Sequence, residues 1–136
     1  MHTRTLKLFF TALLIVFLLD VVWIGGFAME FYRFELGSLL TNAVVWPAAL
    51  AFYVFFAALL IVFVIEPALK AKSLRKALIL GALFGFATYM TYDLTNLATT
   101  KDWSLLIAVV DMVWGTVLTA TASVCTYLLA TRVYKL

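Results

Sequence analysis

Three aspartates stand inside long apolar stretches of this sequence, where a carboxylate is costly. Asp20, Asp93 and Asp111 each lie within a run built mainly from aliphatic and aromatic residues. Ionisable side chains inside a membrane are rare and usually mark a binding site, a proton relay or an ion pathway. Buried polar groups also join helices, at about 1 kcal/mol or less per contact. Three such carboxylates together favour a functional site over simple helix association.

Aromatic and polar residues accompany each aspartate at helical spacing. Trp23 lies three residues after Asp20, and its indole therefore shares a helix face with that carboxylate. Trp114 stands in the same relation to Asp111. Either indole N–H is placed to donate to a carboxylate on a neighbouring helix. The stretch around Asp93 adds hydroxyl and amide groups that we expect to support the carboxylates. The predicted site consists of Asp20, Asp93, Asp111, Asn96, Trp23, Trp114, Tyr89 and Thr95.

The composition places these residues in a membrane protein. The chain has 136 residues, of which 66% are hydrophobic and only 12% are charged. A soluble domain of this size would be unable to cover so much apolar surface, so the expected partner is the lipid bilayer. The net charge of +3 is small and the basic residues flank the apolar runs. Basic residues in these positions are typical of loops that set the orientation of a membrane protein, and we expect no nucleic-acid binding.

Four apolar runs predict four membrane spans, at about 8–29, 43–65, 77–99 and 104–131. The segment 30–42 mixes aromatic and charged residues and is predicted to be a loop at the headgroup level. Short connections make consecutive helices antiparallel neighbours, so the expected fold is all-α, a single integral membrane four-helix up-down bundle. Gly81 and Gly85 on the third span are predicted to form a packing surface for another helix.

Basic residues are distributed unevenly between the two ends of the predicted spans. Of the ten Lys and Arg residues, only Arg33 and Lys101 lie at one end. The other end carries Arg4, Lys7, Lys70, Lys72, Arg75, Lys76, Arg132 and Lys135. Because cytoplasmic loops carry the excess of positive charge, both termini are predicted to be cytoplasmic.

The three aspartates share a depth. At a rise of 1.5 Å per residue, each lies on the order of 9 to 14 Å below the outer end of its predicted span. The predicted spans contain no Lys, Arg or His that would neutralise them. Ionised carboxylates close together in a low dielectric repel one another, so we expect a proton, a cation or a watery vestibule to compensate.

The sequence contains no motif for a common cofactor. Haem and zinc sites are disfavoured because the only histidine is His2, and no glycine-rich nucleotide loop is present. Carboxylate, amide and hydroxyl oxygens would suit a hard cation such as Mg²⁺, Ca²⁺ or Mn²⁺. The sequence therefore does not decide whether the protein binds a metal ion or a cofactor.

Three functions are compatible with this pattern. The aspartates would exchange protons or bind a cation in a small transporter, which would need a homodimer because four helices enclose little volume. Alternatively, a protonated and an ionised aspartate would act as acid and base in an enzyme with a lipid-soluble substrate. The third alternative is an accessory subunit of a membrane complex.

A series of short motifs runs through most of the chain. The series includes Asp-x-x-Trp-Ile-Gly from Asp20, Gly-Ala-Leu-Phe-Gly from Gly81 and Asp-x-x-Trp-Gly from Asp111. Phe-Tyr with a following Leu-Gly, and Pro-Ala-Leu, lie between them. The most specific part is Thr-Tyr-Asp-Leu-Thr-Asn-Leu-Ala-Thr from Thr91. In this order the motifs resemble one bacterial family, the membrane proteins grouped as domain of unknown function 2177. The resemblance implies a small multi-pass protein of the bacterial inner membrane and implies no mechanism.

Overall fold

The structure is a computed structural model that describes residues 2–136. Four of its helical segments are long and apolar enough to cross a membrane: Thr3–Leu39, Trp46–Lys70, Leu74–Thr99 and Leu105–Val133. No β-strand occurs in the described part of the chain. The predicted all-α membrane bundle with four spans is therefore confirmed.

The first segment is longer than the sequence predicts. Helix α1 (His2–Trp23) passes through a π-helical turn (Ile24–Ala28) into helix α2 (Met29–Leu36) and a short 3₁₀ turn (Gly37–Leu39). The predicted loop at 30–42 is thus helical over most of its length, because its Glu, Arg and Leu residues favour a helix. Gly37 ends α2 with a positive φ of 47°, a conformation that glycine adopts without a Cβ clash.

The second segment also extends beyond its predicted end at residue 65. Helix α3 (Trp46–Leu60) begins with Pro47 in its first turn and leads into a π-helical turn (Ile61–Ile65). Helix α4 (Glu66–Lys70) then continues past Pro67. Pro67 is tolerated because it lies in the first turn of α4, where a proline N–H is not required for a bond within that helix.

The last two segments are capped by serines. Ser73 precedes helix α5 (Leu74–Thr99) and accepts a hydrogen bond from the Lys76 N–H at 3.1 Å. Ser104 precedes helix α6 (Leu105–Leu128) and accepts one from the Ile107 N–H at 3.3 Å. A π-helical turn (Leu129–Val133) ends the fourth segment. We call the end of the bundle with residues 37–45 and 100–104 the loop end, and the opposite end, where α1 begins, the terminal end.

Small residues bring α5 and α6 into close contact. A Cβ added at Gly85 would meet the backbone oxygen of Gly115 and the side chain of Thr119. A Cβ added at Gly81 would meet the Ser123 side chain. Helix backbones approach each other this closely only where side chains are small. Helix α1 packs against α3 and α6 and completes the bundle.

The aspartates occupy core positions of their helices. On α1, the buried residues Leu8, Ala12, Val16 and Asp20 are four apart and therefore lie on one face. On α5, Asp93 continues the buried face of Ala77, Gly81 and Gly85. Toward the terminal end the core is mainly apolar and includes Leu60, Val64 and Ile65, although α6 also buries three hydroxyl groups there. The aspartates lie toward the loop end. The fold itself turns the carboxylates inward.

Candidate functional site

The structure brings the three predicted aspartates together inside the bundle. Asp20 is 6% exposed, Asp93 is 0% exposed and Asp111 is 8% exposed, so none of them faces lipid. Asp111 interacts electrostatically with Asp20 and faces Asp93. The ion pair found among the described residues joins Arg4 to Glu66 at 3.1 Å, at the terminal end of the bundle. The aspartate cluster thus contains no salt bridge to a described basic side chain.

Asp20 accepts hydrogen bonds from two neighbouring helices. The indole Nε1 of Trp114, on α6, donates to Asp20 Oδ1 at 3.2 Å. The Tyr53 hydroxyl, on α3, donates to Asp20 Oδ2 at 3.0 Å. Each carboxylate oxygen of Asp20 therefore has its own donor, which offsets part of the cost of burying it.

Asp111 accepts a hydrogen bond from a residue of the first segment. The Tyr32 hydroxyl donates to Asp111 Oδ1 and accepts from the Trp23 indole Nε1 at 3.3 Å. The indoles of Trp23 and Trp114 stack with ring centroids 4.4 Å apart and planes 11° from parallel. This chain of contacts fixes α2 against α6 above the aspartates.

Asp93 is the carboxylate without a protein donor. Both of its oxygens are buried and neither receives a hydrogen bond from another described residue. Its carboxyl nevertheless lies within hydrogen-bonding reach of Asp111. Two carboxylates have only acceptors, so a hydrogen bond between them forms only when one carries a proton. A single proton on either group would join Asp93 to Asp111, and we call these two groups the carboxyl pair.

Tyr89 lies between the two parts of the cluster. Its phenol interacts electrostatically with both Asp20 and Asp111. Its ring packs directly on Gly115, at the position where a Cβ of that residue would project. The glycine on α6 thus makes room for the aromatic ring on α5, and Tyr89 fills the space beside the carboxylates.

Two predicted site residues do not reach the aspartates through their polar groups. Thr95 is exposed, and its hydroxyl donates to the carbonyl oxygens of Thr91 at 2.5 Å and Tyr92 at 3.0 Å. The Asn96 amide donates to the Tyr92 carbonyl at 2.9 Å, and its oxygen accepts from Thr100. The expectation that they support the carboxylates is corrected, because bonds within their own helix engage their polar groups.

Sequence reasoning missed two donors, Tyr32 and Tyr53. Tyr32 was assigned to a loop, whereas the π-helical turn and α2 carry it back over Asp111. Tyr53 had a detectable signal, since it is the only hydroxyl between Pro47 and Glu66. A buried tyrosine hydroxyl normally has a partner, so an isolated one in an apolar span indicates a polar group on a neighbouring helix.

Two cavities adjoin the cluster. An apolar cavity of about 400 Å³ is lined by Phe52, Thr88, Tyr89 and Tyr92. A larger cavity at the loop end, about 580 Å³, is lined partly by polar residues, and Tyr32 and Arg33 are among them. We call the second one the loop-end cavity. Tyr32 belongs to its wall and also bonds Asp111, so it separates this cavity from the carboxyl pair.

The aspartates are not arranged as ligands of one metal ion. Among the side chains that the structure describes, no three of the types His, Cys, Asp and Glu are grouped so that they would hold a metal. A hard cation bound by all three carboxylates would need their oxygens within about 2.6 Å of one point. The geometry matches hydrogen bonding and proton sharing better than a three-carboxylate cation site.

Comparison with known families identifies the chain. The model of a family described as "Predicted membrane protein (DUF2177)" matches residues 5–128. The chain belongs to the DUF2177 family. The resemblance predicted from the motifs is confirmed, and the matched region includes all three aspartates. A search of curated proteins and a search of solved structures each found no match.

In this DUF2177 protein, the cluster combines two neighbouring carboxyls, Asp93 and Asp111, with a third carboxyl whose two oxygens each accept a hydrogen bond. Trp114 and Tyr53 hold this third group, Asp20, in place beside the other two. Buried carboxyls inside a membrane bundle usually mark a functional site.

Proposed function

We propose that this DUF2177 protein is a small proton-linked transporter of the bacterial inner membrane, with the aspartate cluster as its proton-carrying site. The carboxyl pair of Asp93 and Asp111 carries the proposal. Buried carboxyls without basic partners are typical of proton relays in pumps and transporters. A pair that holds one proton between two acceptors changes its charge by one when that proton leaves.

Access from the loop end supports transport. The Tyr32 hydroxyl contacts Asp111 on one side and lines the loop-end cavity on the other. A phenol both donates and accepts hydrogen bonds, so it can relay a proton between the cavity and the carboxyl pair. Rotation of this single side chain would expose the pair to whatever fills the cavity.

Buried hydroxyls toward the terminal end support a path through the membrane. Thr119, Ser123 and Thr126 follow Asp111 on α6 and are all fully buried. The hydroxyl oxygens of Thr119 and Thr126 have no hydrogen-bond partner among the described residues. Unpaired buried hydroxyls are costly in a purely structural role and suit transient hydration. The buried hydroxyls of α6 extend the polar interior from Asp111 to Thr126, a distance of about 22 Å along the helix.

We further propose that the loop end is periplasmic and the terminal end cytoplasmic, since all but two of the ten basic residues lie at the terminal end. Because four helices enclose little volume, a homodimer is the expected working form. Light scattering of the protein in detergent would then give a mass of two chains.

A membrane enzyme is the second candidate, favoured by the apolar cavity beside Tyr89. A lipid-soluble substrate in that cavity would lie near Asp20 and Asp111, which interact with the Tyr89 phenol. One protonated and one ionised carboxyl would then act as general acid and base. The two candidates differ in product, because the enzyme changes lipid structure and the transporter changes substrate distribution.

The test uses purified protein reconstituted into phosphatidylcholine vesicles with an imposed pH gradient. Uptake is measured for a panel of radiolabelled carboxylates, amino acids and amines. We expect at least one compound to accumulate only with the gradient, and Asp93→Asn and Asp111→Asn to reduce its uptake at least tenfold. Asp102→Asn is the matched control, because this aspartate lies in the exposed turn between α5 and α6.

Two results would count against transport. If no compound accumulates while an overproducing strain shows altered lipid masses that depend on Asp111, the enzyme is correct. If both functions survive Asp93→Asn and Asp111→Asn as well as they survive Asp102→Asn, the aspartate cluster is structural and the site hypothesis fails.

A further inference from the structure

The loop-end cavity has the lining of an anion site. Its wall carries one cationic side chain, Arg33, together with the Asn42 amide and the Tyr32 hydroxyl. No described Asp or Glu is part of that wall. The nearby Glu35 is instead engaged by the Ser104 hydroxyl, which donates to it at 2.5 Å. The fixed charge of the cavity is therefore positive.

Arg33 is available for a ligand. The ion pair among residues 2–136 is formed by Arg4 and Glu66, at the opposite end of the bundle, and no hydrogen bond of the described chain engages the Arg33 guanidinium. A guanidinium presents a planar set of donors that matches a carboxylate or phosphate, and it is weakly hydrated. Arg33 is exposed and lines the cavity, so its guanidinium is accessible to a ligand there.

Apart from Thr41, the remaining wall is apolar or glycine. Ile24, Met29, Leu40 and Val44 line the same cavity of about 580 Å³. This volume falls in the range of small-molecule sites, and such sites combine an apolar wall with a few placed polar groups. The pattern suits a molecule with an anionic head and a short hydrocarbon body.

We propose that the loop-end cavity binds an amphipathic anion, with Arg33 holding its carboxylate or phosphate group. The proposal deepens the proposed function, on which it rests for the role of the cavity as the entrance to the carboxyl pair. The anion would be either a free molecule or the headgroup of a membrane lipid, and both share the chemistry that Arg33 recognises.

The position of Tyr32 couples this anion to the aspartates. An anion at Arg33 and the carboxyl pair would lie on opposite sides of the Tyr32 phenol. The repulsion between them would be stronger after the pair has lost its proton, because the pair then carries two negative charges in place of one. Binding of the anion is therefore favoured when the pair holds its proton, and the coupling is reciprocal. This relation gives a physical basis for the uptake of an anion together with a proton.

The experiment measures binding to the full chain in phosphatidylcholine nanodiscs by titration calorimetry. Hexanoate and inorganic phosphate are added as free anions, and phosphatidylglycerol is tested by native mass spectrometry. Hexanol is the neutral counterpart of hexanoate, and phosphatidylcholine, which has no net charge, is that of phosphatidylglycerol. We expect hexanoate or phosphatidylglycerol to bind more tightly than its neutral counterpart, or phosphate to bind measurably. Arg33→Gln should weaken that binding about tenfold, and Arg33→Lys less, since charge-assisted bonds to the guanidinium are lost.

Lys101→Gln is the control, because Lys101 is the other basic residue of the loop end and does not line the cavity. Binding of hexanoate or phosphate identifies a free anion, and binding of phosphatidylglycerol alone identifies a lipid headgroup. Equal binding to wild type and Arg33→Gln, or no preference for any anion, overturns the proposal. Neither result depends on uptake, so the anion site can fail while the aspartate-dependent transport stands.

Discussion

The donors of Asp20 show how single residues make a buried carboxylate tolerable. Tyr53 and Trp114 come from different helices and each satisfies one oxygen of the same group. Loss of one donor leaves a buried acceptor unsatisfied, which costs more than the bond contributed. The arrangement also fixes α3 and α6 relative to α1, so these bonds contribute to both the site and the fold.

We expect Tyr53→Phe to lower the free energy of unfolding by about 1 kcal/mol, because hydrogen bonds between membrane helices average about 0.6 kcal/mol and reach about 1.7 kcal/mol. Unfolding in mixed detergent micelles measures it. Tyr127→Phe makes the same chemical change on α6, about 24 Å from Asp111 along the helix, and should have a smaller effect. Equal losses in the two variants would show that the bond to Asp20 adds nothing to stability.

At the scale of elements, the contact of α5 with α6 positions two of the three aspartates. The predicted packing surface at Gly81 and Gly85 lies against α6, where Gly115, Thr119 and Ser123 face it. This close approach is what brings Asp93 on α5 within reach of Asp111 on α6. The small residues are therefore a condition for the carboxyl pair, even though they perform no chemistry.

Gly115→Ala should destabilise the protein by about 1–3 kcal/mol, the usual cost of overpacking a well-packed interior. Its Cβ would enter the ring of Tyr89, so α5 and α6 must separate or the ring must move. Gly25→Ala is the control, since a Cβ there meets no atom within 4 Å. The same unfolding assay compares them. A Gly115→Ala protein as stable as Gly25→Ala would mean that the helices do not pack as described.

At the scale of the molecule, the bundle is divided into two halves with different interiors. Leu8, Leu60 and Ile65 belong to the apolar core toward the terminal end, whereas the aspartates and the loop-end cavity occupy the other half. The basic residues add a second asymmetry along the same axis. Together these features make the two ends of the bundle chemically different, as the proposed orientation and transport would require.

The orientation predicts the reactivity of single cysteines in intact cells. In a Cys125→Ser background, Lys101→Cys should react with a membrane-impermeant maleimide from outside. Ala71→Cys, in the exposed connection between α4 and α5, should react only after the membrane is permeabilised. Charge asymmetry is the physical reason, because loops rich in Lys and Arg stay in the cytoplasm. The opposite labelling pattern would place the aspartates in the cytoplasmic half.

The sequence by itself determined the number of membrane helices and their all-α character, and it predicted a common depth for the aspartates. Hydrophobic runs of more than about 20 residues leave only helices as spanning structures, and a fixed rise per residue converts position into depth. Family membership could also be predicted, since the stretch from Thr91 to Thr99 carries a distinctive order of polar residues.

Only the tertiary structure decided which groups meet. It paired Asp93 with Asp111, gave Asp20 its donors Trp114 and Tyr53, and left the polar groups of Asn96 bound to its own helix. It also brought Tyr32 over Asp111. The π-helical turn at Ile24–Ala28 shifts the register of every later residue in its segment, and a 3.6-residue period cannot reveal that shift. Depth is a local property of one helix, whereas contact depends on how the helices face and approach each other.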